Sequence, residues 1–223
     1  MKSKIWIYLI RVVIFFNVGA LLSYALPSVT AFARQVDDHY NHLQTLETDF
    51  AEIYQGAGME RNESGKLWLK KPGKMRWEYR SPEEKLFVGD GHNGWLYLPA
   101  QDQVRKSSMK DLEDLRSPLA FLLGKAKLEK ELVGLSFAPD LQVWHEGDVI
   151  LRGIPKGLED RIREVVLEVS SEHKIVRIMI HGIDDSITEY RFSNQKENVE
   201  VSNAQFRFTP PVGAEVIEDE RGN

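Results

Sequence analysis

The chain has 223 residues, 28% of them charged, a net charge of −5 and no cysteine. Stability therefore rests on packing without disulfides, and lipid attachment through a cysteine is excluded. The acidic balance disfavours nucleic acid and anionic membrane surfaces as partners.

The first residues read as an export signal. Lys2 and Lys4 open it, and residues 5–26 follow as an almost wholly apolar run, interrupted by Arg11 and Asn17. Ala31-Phe32-Ala33 places small residues at the −3 and −1 positions of a signal-peptidase site, which predicts cleavage after Ala33. Ser23-Tyr24-Ala25 is the second choice. The apolar run is also long enough to span a bilayer, but the late Ala-x-Ala favours removal over a retained anchor. Residues 1–33 are thus read as a cleaved signal peptide and residues 34–223 as one domain. Losing Lys2, Lys4 and Arg11 takes the net charge to −8.

Val36, Tyr40, Leu43 and Leu46 recur at helical spacing among Asp37, Asp38, Gln44 and Glu47, so a helix opens the mature region. The period then changes to two. Residues 65–71 read as a strand, Pro72-Gly73 as a turn, and residues 74–80 as the clearest strand of the chain, with Met75, Trp77 and Tyr79 on one face and charged groups on the other. Residues 85–89 and 95–98 read as two short strands about the turn Asp90-Gly91-His92-Asn93-Gly94, and residues 103–107 as a further strand. Leu112, Leu115, Leu119, Leu122 and Leu123 form an apolar stripe. Ser117 suits an N-cap, Pro118 a first helical turn and Gly124 a stop, which predicts a turn near 111–115 and a helix over 118–123. Strands are expected again over 128–138, 141–151, 162–170, 175–181, 187–193 and 204–208, with a frayed tail after Ile217. Many short strands in hairpin succession argue for one antiparallel sheet curled into a barrel or part of one.

A search for reactive chemistry yields little. His39 and His42 lie three apart beside two aspartates, but a solvated helix face explains them better than a metal, and no metal or cofactor is expected. Asp90 between two glycines is a turn residue sooner than a catalytic carboxylate, and Glu83-Glu84 and Asp184-Asp185 fit turns equally. Nucleophile elbow, phosphate loop and dinucleotide fingerprint are all missing, so an enzyme is not expected. What stands out is the set of large apolar residues Trp68, Trp77, Trp95, Trp144, Tyr79, Tyr97 and Phe87 in strands. An ordinary filled core would also need them.

The segment running from Gly65 to Tyr79 (Gly-Lys-Leu-Trp-Leu-Lys-Lys-Pro-Gly-Lys-Met-Arg-Trp-Glu-Tyr) resembles the glycine–leucine–proline–tryptophan block of the LolA family. The resemblance continues through Pro82, Val88-Gly89-Asp90-Gly91, Trp95 to Pro99, Ser117 to Leu123 and Phe206 to Ile217, in order along nearly the whole mature chain. It implies a mainly β fold with some helix: an unclosed, strongly curved antiparallel β-barrel, or half-barrel, with a helical lid on its concave side. It also implies a periplasmic carrier that receives acylated lipoproteins from an inner-membrane ABC transporter (LolCDE-like) and passes them to an outer-membrane receptor (LolB-like). Strand alternation puts Met75, Trp77 and Tyr79 together, and Leu67 and Leu69 with Lys71 likewise; these apolar residues with Phe87, Trp95 and Tyr97 are assigned to the lipid-facing cavity, and Pro118, Leu119, Leu122 and Leu123 to the lid. The family's basic residue before the proline, an arginine that bonds lid backbone, corresponds to Lys71, which has the charge without the planar fork. A monomer is expected, although the sheet would have open edges. The main rival readings are a lipid- or lipoprotein-sensing regulatory domain of related fold (RseB-like), usually longer, and a carrier of another acylated lipid.

Overall fold

The structure, a computed structural model, describes residues 28–109 and 127–218. Its strands are β1 (Thr45–Gly56), β2 (Met59–Lys70), β3 (Lys74–Ser81), β4 (Lys85–Asp90), β5 (Asn93–Leu98), β6 (Gln103–Ser108), β7 (Leu132–Phe137), β8 (Val149–Pro155), β9 (Ile162–Val169), β10 (Ile175–Gly182), β11 (Ile187–Glu197) and β12 (Glu215–Glu218). They form one sheet in the order β12-β6-β5-β4-β3-β2-β1-β11-β10-β9-β8-β7. Consecutive strands pair antiparallel within β1–β6 and within β7–β11, β1 joins β11 to merge the two runs, and among the described residues only the edge pair β12–β6 is parallel. The edge strands β12 and β7 do not meet, so the curved sheet stays unclosed, as the half-barrel reading expected.

Among the described residues, the long helix α1 (Val29–His42) lies on the inner face. Ser28 caps it by accepting the Ala31 N–H at 3.2 Å. Its apolar stripe (Phe32, Ala33, Val36, Tyr40) joins Leu151, Val165, Leu167, Val169, Ile175 and Ile178 in the main core. The predicted helix was displaced toward the C-terminus. Leu43 and Leu46 continue the helical spacing, yet both are buried as extended residues, because Thr45 and Thr48 begin a strand that must pair with β2 and β11. β1 went unread for that reason. The folded domain also begins earlier than residue 34: Ala33 is fully buried and Phe32 is 7% exposed.

Other expectations shift for local reasons. Residues 128–138 open with a helical turn, Leu128–Glu131, whose first N–H is accepted by Asp37 of α1 at 3.1 Å, before β7 starts. The strand expected over 141–151 begins only at Val149. Residues 138–148 instead fold onto the outer face, where Leu141 and Val143 pack on Ala138, Ile150, Val166 and Met179. Residues 204–208, expected as a strand, hold a 3-10 turn, Asn203–Phe206, capped by Ser202. Residues 215–218 pair with β6 as β12, and the rest of the tail expected to fray after Ile217 lies outside the described residues. The turn and helix expected over 111–123 lie outside the described residues.

Gly65 shows how tightly the sheet is bent. At the bulge between β2 and β3 a Cβ there would sit 1.8 Å from the Glu78 carbonyl oxygen, so no other residue fits without moving β3.

Candidate functional site

The pleat decides which side chains share the inner face. Across the β2–β3–β4 ladder, Leu67 faces Trp77 and Trp77 faces Phe87, while Leu69 faces Met75. Leu67, Leu69 and Trp77 are buried in the main core, and Met75, Tyr79 and Phe87 pack against it. These six predicted positions therefore lie together on the side that carries α1.

Trp95 and Tyr97 do not join them. Phe87 pairs with Leu96, so Trp95 (opposite Val88) and Tyr97 (opposite Leu86) point to the outer face. There both rings lie 5.9 Å from Phe208. The sequence segment 95–98 alternates correctly, but nothing in it says which of its two faces is inner; a one-residue phase decides that. The same outer face is crossed by the C-terminal segment. Val201 and Phe206 cover Trp68, Lys70 Nζ donates to the Val201 carbonyl at 2.6 Å, and Arg76 donates to the Gln205 carbonyl at 3.1 Å. Lys74 donates to Asn203 Oδ1 at 3.2 Å, so the charged face of β3 does point outward.

Sequence reading missed the partners that complete the inner aromatic floor. Phe50 of β1 lies edge-on to Trp77 at 4.7 Å and to Tyr79 at 4.9 Å. Tyr190 of β11 lies 5.9 Å from Trp77 and stacks with Phe192 at 6.5 Å. Such pairs add about 0.5–1.5 kcal/mol each beyond burial. Recognising Leu46, Thr48, Phe50 and Glu52 as one strand face would have found Phe50.

The floor ends in a buried polar cluster. Tyr79 donates to Glu52 Oε2 at 2.8 Å, Lys85 Nζ reaches Glu63 Oε1 at 2.5 Å, and Arg61 Nε lies 3.1 Å from Glu63 Oε2. Burial, reinforced by the Glu52 carboxylate, drives both the Tyr79 and Tyr190 hydroxyls far above the usual phenol range, so both stay protonated.

α1 is tied to the sheet by a few polar contacts. The Tyr40 hydroxyl, buried with its helix, accepts the Ile175 N–H at 2.9 Å. His39 Nε2 lies 2.9 Å from Glu197 Oε1. Lys71 Nζ donates to the carbonyls of Tyr40 and, at 3.2 Å, Asn41, at the C-terminal end of α1 where carbonyls lack helical partners. Desolvation lowers the Lys71 pKa from the ordinary lysine value. Lys71 thus does hold helix backbone, but the helix it holds is α1; Pro118, Leu119, Leu122 and Leu123 lie outside the described residues. Asp90 accepts the N–H groups of His92 and Asn93 at 2.7 Å, and Asp184 the N–H and hydroxyl of Ser186 at 3.1 and 2.6 Å, as turn residues.

An unclosed curved sheet, with a helix and a continuous aromatic floor on its inner side, defines a half-barrel class. Residues 41–209 match the model of the family described as outer membrane lipoprotein carrier protein LolA. The chain belongs to this family. Similar proteins named outer-membrane lipoprotein carrier protein include one from Nitrosospira multiformis, 31% identical over 79% of this chain and 83% of the relative. Another, from Dechloromonas aromatica, is 31% identical over 87% and 92%. Among solved structures, an uncharacterized conserved protein from Thermus thermophilus superposes with a TM-score of 0.55 at 13% identity, over 84% of this chain and 97% of its own, which is a likeness of fold.

Proposed function

We propose that this chain is a periplasmic carrier, exported by its N-terminal segment, which shelters lipoprotein acyl chains against the inner face of the half-barrel. It would take them from an ABC transporter of the inner membrane and deliver them to an outer-membrane receptor. No covalent step is needed, because sheltering hydrocarbon is itself the task. The observation that carries this reading is the inner aromatic floor (Phe50, Trp77, Tyr79, Phe87, Tyr190) beside a helix held by its buried apolar stripe and by polar contacts of Tyr40, His39 and Lys71. Burying a methylene gains about 0.8 kcal/mol, so a sixteen-carbon chain could gain on the order of 12 kcal/mol if fully covered. Release then requires an opposing term, and the contacts that α1 makes with the sheet in the empty form supply one.

The reading includes the processing site. Cleavage after Ala33 would remove the Ser28 cap and the buried Phe32, whereas cleavage after Ala25 leaves α1 whole. We therefore place the mature N-terminus at Leu26.

Photo-crosslinking residues placed one at a time at Phe50, Trp77 and Trp95 in the full mature protein test the carrier reading. Capture of acylated lipoprotein from positions 50 and 77, and none from the outer-face position 95, is the expected result. Capture from Trp95 alone, or none from either inner position, overturns it.

A further inference from the structure

The segment 138–148 hides a group of ligand atoms on the outer face, remote from the aromatic floor. His145, Asp148 and Glu168 bring one nitrogen and two carboxylate oxygens within 4.8 Å of one another. Glu168 of β9 is fully buried beneath the loop and accepts the Trp144 and His145 N–H groups through Oε1, at 2.5 and 3.2 Å. Its Oε2 accepts no well-formed hydrogen bond and faces Arg177 Nη2 at 2.5 Å. Asp148 is the anomaly. Its side chain is only 8% exposed, yet its buried Oδ2 receives no hydrogen bond, and its nearest ionic neighbour is His145 Nδ1 at 3.5 Å. An unbonded carboxylate oxygen buried beside a second carboxylate is costly.

From this arrangement we propose that His145 Nδ1, Asp148 Oδ2 and Glu168 Oε2 form a site for a divalent first-row transition ion, of which Zn2+ is the best-matched example. Two ligands each about 2.1 Å from a tetrahedral centre stand about 3.4 Å apart, close to the distance between His145 Nδ1 and Asp148 Oδ2. One imidazole with two carboxylates is a donor set that suits such ions better than calcium or magnesium, which take oxygen alone. Asp148 and Glu168 hold two carboxylates side by side with little access to solvent, a repulsion that a cation between them would relieve. Arg177 does not fill that role. It sits to one side of Glu168, 3.8 Å from Glu189, and Glu189 also takes Arg191 at 2.6 Å, so two guanidiniums serve Glu168 and Glu189 and leave Asp148 to His145. The Trp144 ring, 4.6 Å from the imidazole and under Arg191, steadies the exposed histidine. The ion would pin the 138–148 loop to β9 and leave one position open to water.

Chelator-treated mature protein titrated with ZnCl2 by calorimetry, and with Co2+ followed by its visible absorption, tests the site. One ion per chain is expected, with intense low-symmetry Co2+ bands and a raised Tm. His145→Ala, at an exposed residue, and the isosteric Asp148→Asn should each weaken binding at least about tenfold. His39→Ala, in another histidine-bearing region near His42 and His173, should leave it unchanged. Absence of stoichiometric binding overturns the proposal, as does binding that survives both loop substitutions or is lost in His39→Ala. Carrier activity is not a readout here, so either proposal can fail alone.

Discussion

At single residues, the informative groups are charges whose partners the chain supplies from afar. Glu47 accepts hydrogen bonds from Lys66 at 3.1 Å, Lys196 at 3.3 Å and the Trp68 indole at 3.2 Å, drawing β1, β2 and β11 together. The hydrogen bond from Lys66, the largest contribution, holds its carboxyl below the ordinary range. A carboxyl lowered by folding contributes stability that is complete above its unfolded value, about 4.3 for glutamate, and is lost as pH falls through the lower folded value. Glu47→Gln should therefore cost roughly 0.5–1 kcal/mol near pH 7, and the gap between the two proteins should close below about pH 4; urea unfolding across pH measures it. Lys71 makes a second case. Lys71→Met should free the α1 C-terminus at a cost of roughly 1 kcal/mol to the empty form, visible as faster hydrogen exchange at residues 38–42. If that helix must yield for cargo, a fluorescent fatty-acid probe should bind about fivefold more tightly to the variant. Unchanged affinity would show that Lys71 is no latch.

Elements were legible where local chemistry and tertiary packing agreed. The run 74–80 declares its strand by strict alternation, and β3 occupies Lys74–Ser81 with the expected faces. The opening helix was legible as a helix but not in its bounds. Leu43 and Leu46 fit the helical stripe, and only pairing with β2 and β11 makes them extended. The start of α1 was obscured for another reason: small alanines make a good cleavage site and an equally good helix. A chain beginning at Arg34 should be less stable than one beginning at Leu26 by on the order of 4 kcal/mol, since it lacks the Ser28 cap and the buried Phe32 ring. Denaturant midpoints of the two chains check this, and, on the proposed export, the mass of the processed chain should correspond to the longer one.

Over the whole molecule, an antiparallel sheet and a helix that must pack on something follow from periodicity and turn chemistry, while the helix on the concave side is what the family resemblance implies. Periodicity and turn chemistry are local properties of 3.6- and two-residue repeats. Tertiary structure alone decided which face of each strand became the inner one, since alternation has two equivalent phases and only neighbouring strands break the tie. That is why Leu67, Leu69, Met75, Trp77, Tyr79 and Phe87 share the inner face while Trp95 and Tyr97 fall on the outer side beside Phe208. Phe50 and Tyr190 reach the floor, and Glu168 reaches His145 and Asp148, through the same long-range pairing. The sequence by itself determined most of the hairpin strands, the opening helix as a helix, and the chemistry that each carries, but not β1, β12 or the loop over 138–148. Which of those chemistries meet was left to strand register and loop path, because contacts between residues far apart in the chain are set by how the whole sheet packs.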